Sequence, residues 1–220
     1  MRTTYGAWAL VAALGLAGLG ATGCKGPLVS DPDAMERPVI AYGASDYNLR
    51  QKPRRTPIKA GERVPDLRWL DQGGREVSTA ELTTAGDALL IVVPGDGSPA
   101  TRPVYEWVRR HRARAAQHKC ELLLLSPDPG EVNAQVAGEE DLHIAILSDP
   151  SAWGARVLGL VPGGTDLAVA RPYSVLLGKE GVVLESREGL FDAAELITAL
   201  TVRRGAQNDF KALDLLKDRN

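Results

Sequence analysis

The sequence predicts an α/β domain in which a central mixed β-sheet carries helices on both of its faces. Residues 88–93 form an uninterrupted apolar run, which is typical of a strand buried on both faces. A Gly/Pro-rich turn at 94–97 then leads into a long helical pattern, as at the opening of a βαβ unit. Strand and helix patterns keep alternating along the chain, which favours a layered architecture.

The predicted elements follow the order β-α-β-α-β-α-β-β-α. The first strand is predicted around Leu67 and Trp69, with Val77 as a further strand-like position beyond a turn at 72–75. A capping box at 78–81 begins a short helix. The later predictions are a helix at 102–117, a strand at 120–126, a helix at 131–137, a strand at 144–147, a helix capped by Ser148-Asp149-Pro150 that ends at Gly159, a hairpin at 172–183 and a closing helix at 192–202.

Length, charge and cysteine content limit the possible functions. At 220 residues, with 44% hydrophobic and 25% charged residues, the chain has the composition of one globular domain with extensions. A net charge of −2 argues against a nucleic-acid partner attracted by bulk charge. Two cysteines do not form a disulfide framework. His111 and His118 have no carboxylate between them at ligand spacing, so neither a metal nor a cofactor is predicted.

Residues 1–24 have the features of a targeting segment. A positive start at Arg2 precedes an apolar stretch at 7–20, which is too short to span a bilayer. The segment ends in small residues before Cys24 and resembles a bacterial lipoprotein signal. That resemblance implies that Cys24 is lipidated and anchors the protein in the membrane of the cell envelope, facing the periplasm or the exterior. A plain secretory signal with an incidental cysteine is the alternative.

The rest of the chain divides into three parts. Residues 25–60 are polar and contain several prolines, so we expect a largely unstructured tether. The folded domain is predicted at 61–204. The tail at 205–220 can form a short amphipathic helix through Phe210, Leu213 and Leu216, which either packs on the domain or docks a partner.

The turn after the apolar run carries a specific resemblance. Residues 92–101 read VVPGDGSPAT. They resemble the active-site segment of the thioredoxin superfamily, and most closely its alkyl hydroperoxide reductase/peroxiredoxin (redoxin) branch, which reads apolar-apolar-Pro-x-Asp-x-Thr/Ser-Pro-x-Cys. Thr101 stands where that branch carries its peroxide-attacking cysteine. Against the Cys-x-x-Cys motif of thioredoxins, Ser98 and Thr101 stand at both cysteine positions. The resemblance covers about 61–203 and implies a thioredoxin-like fold.

By this resemblance, the functional site is degenerate and consists of Ser98, Thr101, Arg171 and Pro172. Ser98 would supply a hydroxyl, and Arg171 lies one residue from the family's arginine position. Pro172 occupies that position and also matches the thioredoxin cis-proline, which implies a cis bond there. A threonine hydroxyl is far weaker than a thiol as an acid and as a nucleophile toward peroxide. Cys120 begins a strand at the opposite end of the sheet, where we expect a small core residue.

The resulting hypothesis is a thioredoxin-fold lipoprotein of the cell envelope, a pseudoenzyme that lacks thiol peroxidase activity and serves as a binding or scaffold module. Its partners would be the membrane, through the lipid anchor, and an envelope protein. One alternative is a thiol-dependent antioxidant oxidoreductase, which would require an exposed and activated Cys120. Another is a hydrolase or isomerase built on Thr101, Ser98 and Arg171, although no general base is visible near them.

Overall fold

A seven-stranded mixed sheet forms the centre of the protein. The computed structural model describes residues 47–84, 86–161 and 169–202. The strand order is β2-β1-β5-β4-β3-β6-β7. The strands are β1 (Arg68–Asp71), β2 (Glu76–Ser78), β3 (Asp87–Val92), β4 (Cys120–Ser126), β5 (Ala145–Ser148), β6 (Tyr173–Leu177) and β7 (Val183–Glu188).

Parallel strands occupy the middle of the sheet and antiparallel strands flank them. β3 pairs with β4, and β4 with β5, in parallel register, with Leu90 opposite Leu123. β6 runs antiparallel to β3, so that Tyr173 stands opposite Val92. The outer pairs β6–β7, β1–β5 and β1–β2 are antiparallel. The predicted mixed sheet is therefore confirmed, with a register that brings the carboxyl end of β3 beside the start of β6.

Helices cover both faces, as the uninterrupted apolar strands predict. Leu89 and Ile91 of β3 pack into one core, while Leu90 and Val92 pack into the other, because successive side chains of a strand point to opposite faces. The helices are α1 (Thr79–Leu82), α2 (Arg102–Gln117), α3 (Gly130–Glu139), α4 (Trp153–Val157) and α5, which is helical over 193–202. α2, α3 and α5 contribute to the first core, and α1 and α4 to the second.

The region before α1 is a hairpin, whereas the sequence indicated one strand and a strand-like position. β1 and β2 pair with Trp69 opposite Val77. The connecting turn is closed by the Asp71 carboxylate, which accepts backbone hydrogen bonds of 2.9 Å from Gly73 and Arg75. A three-residue edge strand is too short to give a clear alternation.

Residues 47–58 pack against the domain, which differs from the expected tether at 25–60. We call them the strap. Asn48 is fully buried, and its side-chain amide exchanges hydrogen bonds with the backbone of Arg68, at 2.6 and 2.8 Å. Ile58 is also fully buried, and its amide donates to the Leu158 carbonyl at 2.9 Å. Single anchoring residues in a polar, proline-containing segment leave no periodic pattern, so composition alone suggested a tether.

The helix predicted after Ser148-Asp149-Pro150 begins later, at Trp153, and Asp149 still caps it. The Asp149 carboxylate accepts backbone hydrogen bonds from Gly154 at 3.1 Å and Ala155 at 2.9 Å. Burial raises the pKa of Asp149 to about 6, although these N–H donors oppose the shift.

Several predictions fall on residues outside the described ranges. These are the signal at 1–24 with Cys24, the tether up to residue 46, and the tail at 205–220. Among the described residues, no helix has the length and apolarity needed to cross a bilayer.

Candidate functional site

The turn at 94–101 connects the carboxyl end of β3 to the amino end of α2. Gly95 has a φ of +112°, and a Cβ there would stand 3.3 Å from both Pro127 and Asp128, so glycine is required. Two successive turns follow, in which the Ser98 amide donates to Gly95 and the Thr101 amide donates to Ser98. The Ser98 hydroxyl accepts from the Ala100 amide at 3.3 Å and is half-buried. Local backbone bonds thus hold the turn before α2 begins.

Thr101 is fully buried at the start of α2. Its hydroxyl donates to the Gly95 carbonyl at 2.6 Å, back into the turn. Its own carbonyl accepts from the amides of Val104 and Tyr105. A hydroxyl that donates in this way is stabilised in its neutral form, because the donated proton is what the carbonyl oxygen binds. The position therefore closes the turn rather than presenting an oxygen to solvent.

A network that sequence reasoning missed ties this turn to the loop after β4. The Asp128 carboxylate accepts from the Asp96 amide at 2.7 Å and from the Ser126 hydroxyl at 2.8 Å. The Tyr105 hydroxyl donates to Asp96 at 3.3 Å, and burial together with the Asp96 charge raises the pKa of Tyr105. Asp96 occupies the aspartate position of the redoxin pattern. Asp128 lies 32 residues farther along the chain, so no local sequence pattern indicates their contact.

Arg171 and Pro172 lie at the same end of the sheet as the turn, directly before β6. The Arg171 side chain is exposed and pairs with Glu188 on β7 at 3.1 Å. Pro172 accepts from the Gly189 amide at 2.8 Å. The bond between Arg171 and Pro172 is trans, so the expectation of a cis bond is wrong. The structure brings Ser98 and Thr101 into one turn, whereas the guanidinium of Arg171 is engaged with β7.

Cys120 lies at the opposite end of the sheet. It begins β4, pairs with Asp87 at the start of β3, and is 2% exposed in the core beneath α2. The seven residues of β4 span about 20 Å at roughly 3.3 Å per residue. The Cys120 sulfur is therefore separated from the turn by about the length of the strand.

The histidines lie away from the turn. His111 stacks on Trp107 with ring centroids 4.6 Å apart, and His143 pairs with Asp141 at 2.7 Å. Within the part of the chain that the structure describes, no three side chains of His, Cys, Asp or Glu form a group that could hold a metal.

Comparison with models of protein families identifies the family to which this domain belongs. The model of the AhpC/TSA family matches residues 60–186. The chain belongs to the AhpC/TSA family. This match begins just after the strap and ends in β7, so it contains both the turn and the Arg171–Pro172 segment of this AhpC/TSA domain. No curated protein sequence gives a significant match.

Solved structures with the same fold include several peroxidase-related proteins. Peroxidoxin BcpB from Mycobacterium tuberculosis superposes with a TM-score of 0.58 at 22% identity, covering 67% of this chain and 97% of its own. AhpC from Enterococcus faecalis gives 0.58 at 20% identity, with coverages of 68% and 94%. A thiol peroxidase from Chromobacterium violaceum gives 0.57 at 15%, with 70% and 92%. At these identities the similarity of the AhpC/TSA domain establishes its thioredoxin-like fold.

Proposed function

We propose that this redoxin-like protein is a membrane-anchored lipoprotein of the cell envelope that lacks thiol peroxidase activity and acts as a binding or scaffold module. The observation that carries the proposal is Thr101. Where the resemblance expects an exposed, activated thiol, a buried hydroxyl donates to Gly95. A helix amino end and a cation lower a thiol pKa by a few units at most, which would leave an alcohol neutral at pH 7.

Two further contacts support the absence of peroxide chemistry. Arg171 is committed to Glu188, so the cation that would hold a peroxide is directed along β7. Cys120 is buried about one strand length away, and thiol reactivity requires both access and a lowered pKa. Binding would use the exposed rim of the turn, where Asp96, Pro99 and Arg102 face solvent.

A peroxide-consumption assay on the full-length chain with a thiol reductant tests the enzymatic half of the proposal. We expect wild type and Thr101→Ser to remain at the rate of the reductant alone, because neither places a thiol in the turn. Thiol-dependent turnover by wild type that disappears in Cys120→Ser would contradict the proposal and favour an antioxidant oxidoreductase.

Two measurements in cells test anchoring and binding. Wild type should fractionate with membranes and Cys24→Ser should not, since the lipid would be attached through that sulfur. A photo-crosslinking residue at Pro99 should give a discrete adduct with an envelope protein. The matched control is Lys179, which is exposed at the other end of the sheet, just after β6. Equal labelling from both positions would argue against a binding role for the turn.

A further inference from the structure

An apolar groove runs between β7 and α5. It has a volume of about 710 Å³, and Leu184, Ala199 and Val202 are among its lining residues. Glu185, Arg187 and Glu195 stand at its rim, with Arg187 bonded to both carboxylates. Val202 is 67% exposed and is one of two large hydrophobic side chains that remain exposed among the described residues. An apolar groove with an exposed valine at the end of the helix is a candidate docking surface.

The chain itself continues from this groove. Residues 203–206 read RRGA, and the amphipathic pattern at 207–218 follows, with Phe210, Leu213 and Leu216 at a spacing of three. We propose that residues 207–218 form a helix that returns antiparallel to α5 and covers the groove with these three side chains. The four-residue connection, with a glycine in it, has the length of an αα-hairpin loop.

The dimensions agree with this arrangement. Ala194, Thr198 and Val202 lie on one stripe of α5 and line the groove. That stripe is about 12 Å long, and a twelve-residue helix extends about 18 Å, so the returning helix spans the whole groove. Counting outward from the connection, Phe210 comes opposite Thr198 and Ala199. The small side chains there allow close approach of a second helix.

Tethering favours the chain's own segment as occupant. A four-residue linker keeps the segment beside the groove at a high effective concentration. A second copy of the chain, or a separate peptide, would have to compete with this tethered segment for the groove.

Disulfide trapping in the full-length chain tests the proposal. The first variant combines Thr198→Cys with Phe210→Cys, and the matched control combines Thr198→Cys with Ala212→Cys, which lies off the apolar stripe. Both carry Cys24→Ser, and Cys120 stays because it is buried. We expect a monomeric disulfide between 198 and 210, mapped by tryptic peptides, in clear excess over that between 198 and 212. Equal yields, no disulfide, or disulfide-linked dimers in its place would overturn the proposal.

A second measurement uses the trypsin site at Lys211. Val202→Asp removes apolar area from the groove and should accelerate cleavage there about tenfold, whereas Thr201→Asp, which is exposed but outside the groove, should leave it unchanged. Circular dichroism checks that both variants are folded. An identical cleavage rate for Val202→Asp and wild type would contradict the docking.

Discussion

Gly159 decides whether the strap belongs to the folded domain. It follows α4 with a φ of +73°, and a Cβ at this position would stand 2.0 Å from the Thr56 carbonyl oxygen. The Thr56 carbonyl belongs to the backbone and cannot move aside by a side-chain rotation. Gly159→Ala must therefore displace the strap. Gly189 has a similar φ of +84°, but a Cβ there meets nothing within 4 Å. Gly189→Ala is therefore a matched control for the conformational cost alone.

The expected magnitudes follow from the contacts of the strap. Alanine at a positive φ costs about 1–2 kcal/mol, which both variants share. Displacing the strap also removes Ile58 from the core, at about 2–3 kcal/mol. It breaks the backbone bonds from Ile58 to Leu158 and from Arg54 to Arg156 as well. We therefore expect the free energy of unfolding to fall by about 3 kcal/mol more for Gly159→Ala than for Gly189→Ala.

Urea denaturation of the two variants measures this difference directly. Limited trypsin digestion supplies a second readout, because Arg54, Arg55 and Lys59 lie in or beside the strap. Cleavage at these sites should accelerate in Gly159→Ala and stay at the wild-type rate in Gly189→Ala. A difference in unfolding free energy below about 1 kcal/mol, or equal cleavage, would refute the docked strap and restore a tether up to residue 60.

Three further outcomes are expected. The pKa of Asp149 is raised from 3.8 to about 6, so the folded state binds this proton more tightly than the unfolded chain does. Its contribution to stability should be fully present below pH 4 and fall by about 3 kcal/mol as the pH rises to 6; urea midpoints should show this decline in wild type and lose it in Asp149→Asn. Native Cys120, at 2% exposure, should resist alkylation until urea unfolds the chain, as mass spectrometry would report; rapid native labelling would contradict its burial. Thr101→Val should lower the free energy of unfolding by only about 1 kcal/mol, since the Gly95 carbonyl still accepts from Ser98; a loss above about 3 kcal/mol would mean that the hydroxyl does more than close the turn.

Local patterns accounted for the elements in the middle of the chain. The apolar run at 88–93 became β3, and the helix predicted at 102–117 became α2 with the same bounds. Both signals are strong because a strand buried on two faces has no polar positions, and a long helix repeats its apolar spacing over several turns. The hairpin β1–β2 and the strap were harder to predict from the sequence, because each depends on one or two side chains held by distant partners.

The candidate site shows the same division. The motif at 92–101 identified the turn and the absence of a cysteine at position 101, since residue types are read directly from the sequence. The Asp128 contact with Asp96, the inward hydroxyl of Thr101 and the pairing of Arg171 with Glu188 were not predictable. Each joins segments that are close only after the sheet has formed.

The sequence by itself determined that this is an α/β domain of the redoxin type with threonine at position 101, because hydrophobic period and motif spacing are local properties of the chain. Only the tertiary structure decided where the Thr101 hydroxyl points, that Cys120 is a strand length away, and that the strap is part of the domain. Those facts depend on the order and register of strands, which are set by long-range packing that no short stretch of sequence encodes.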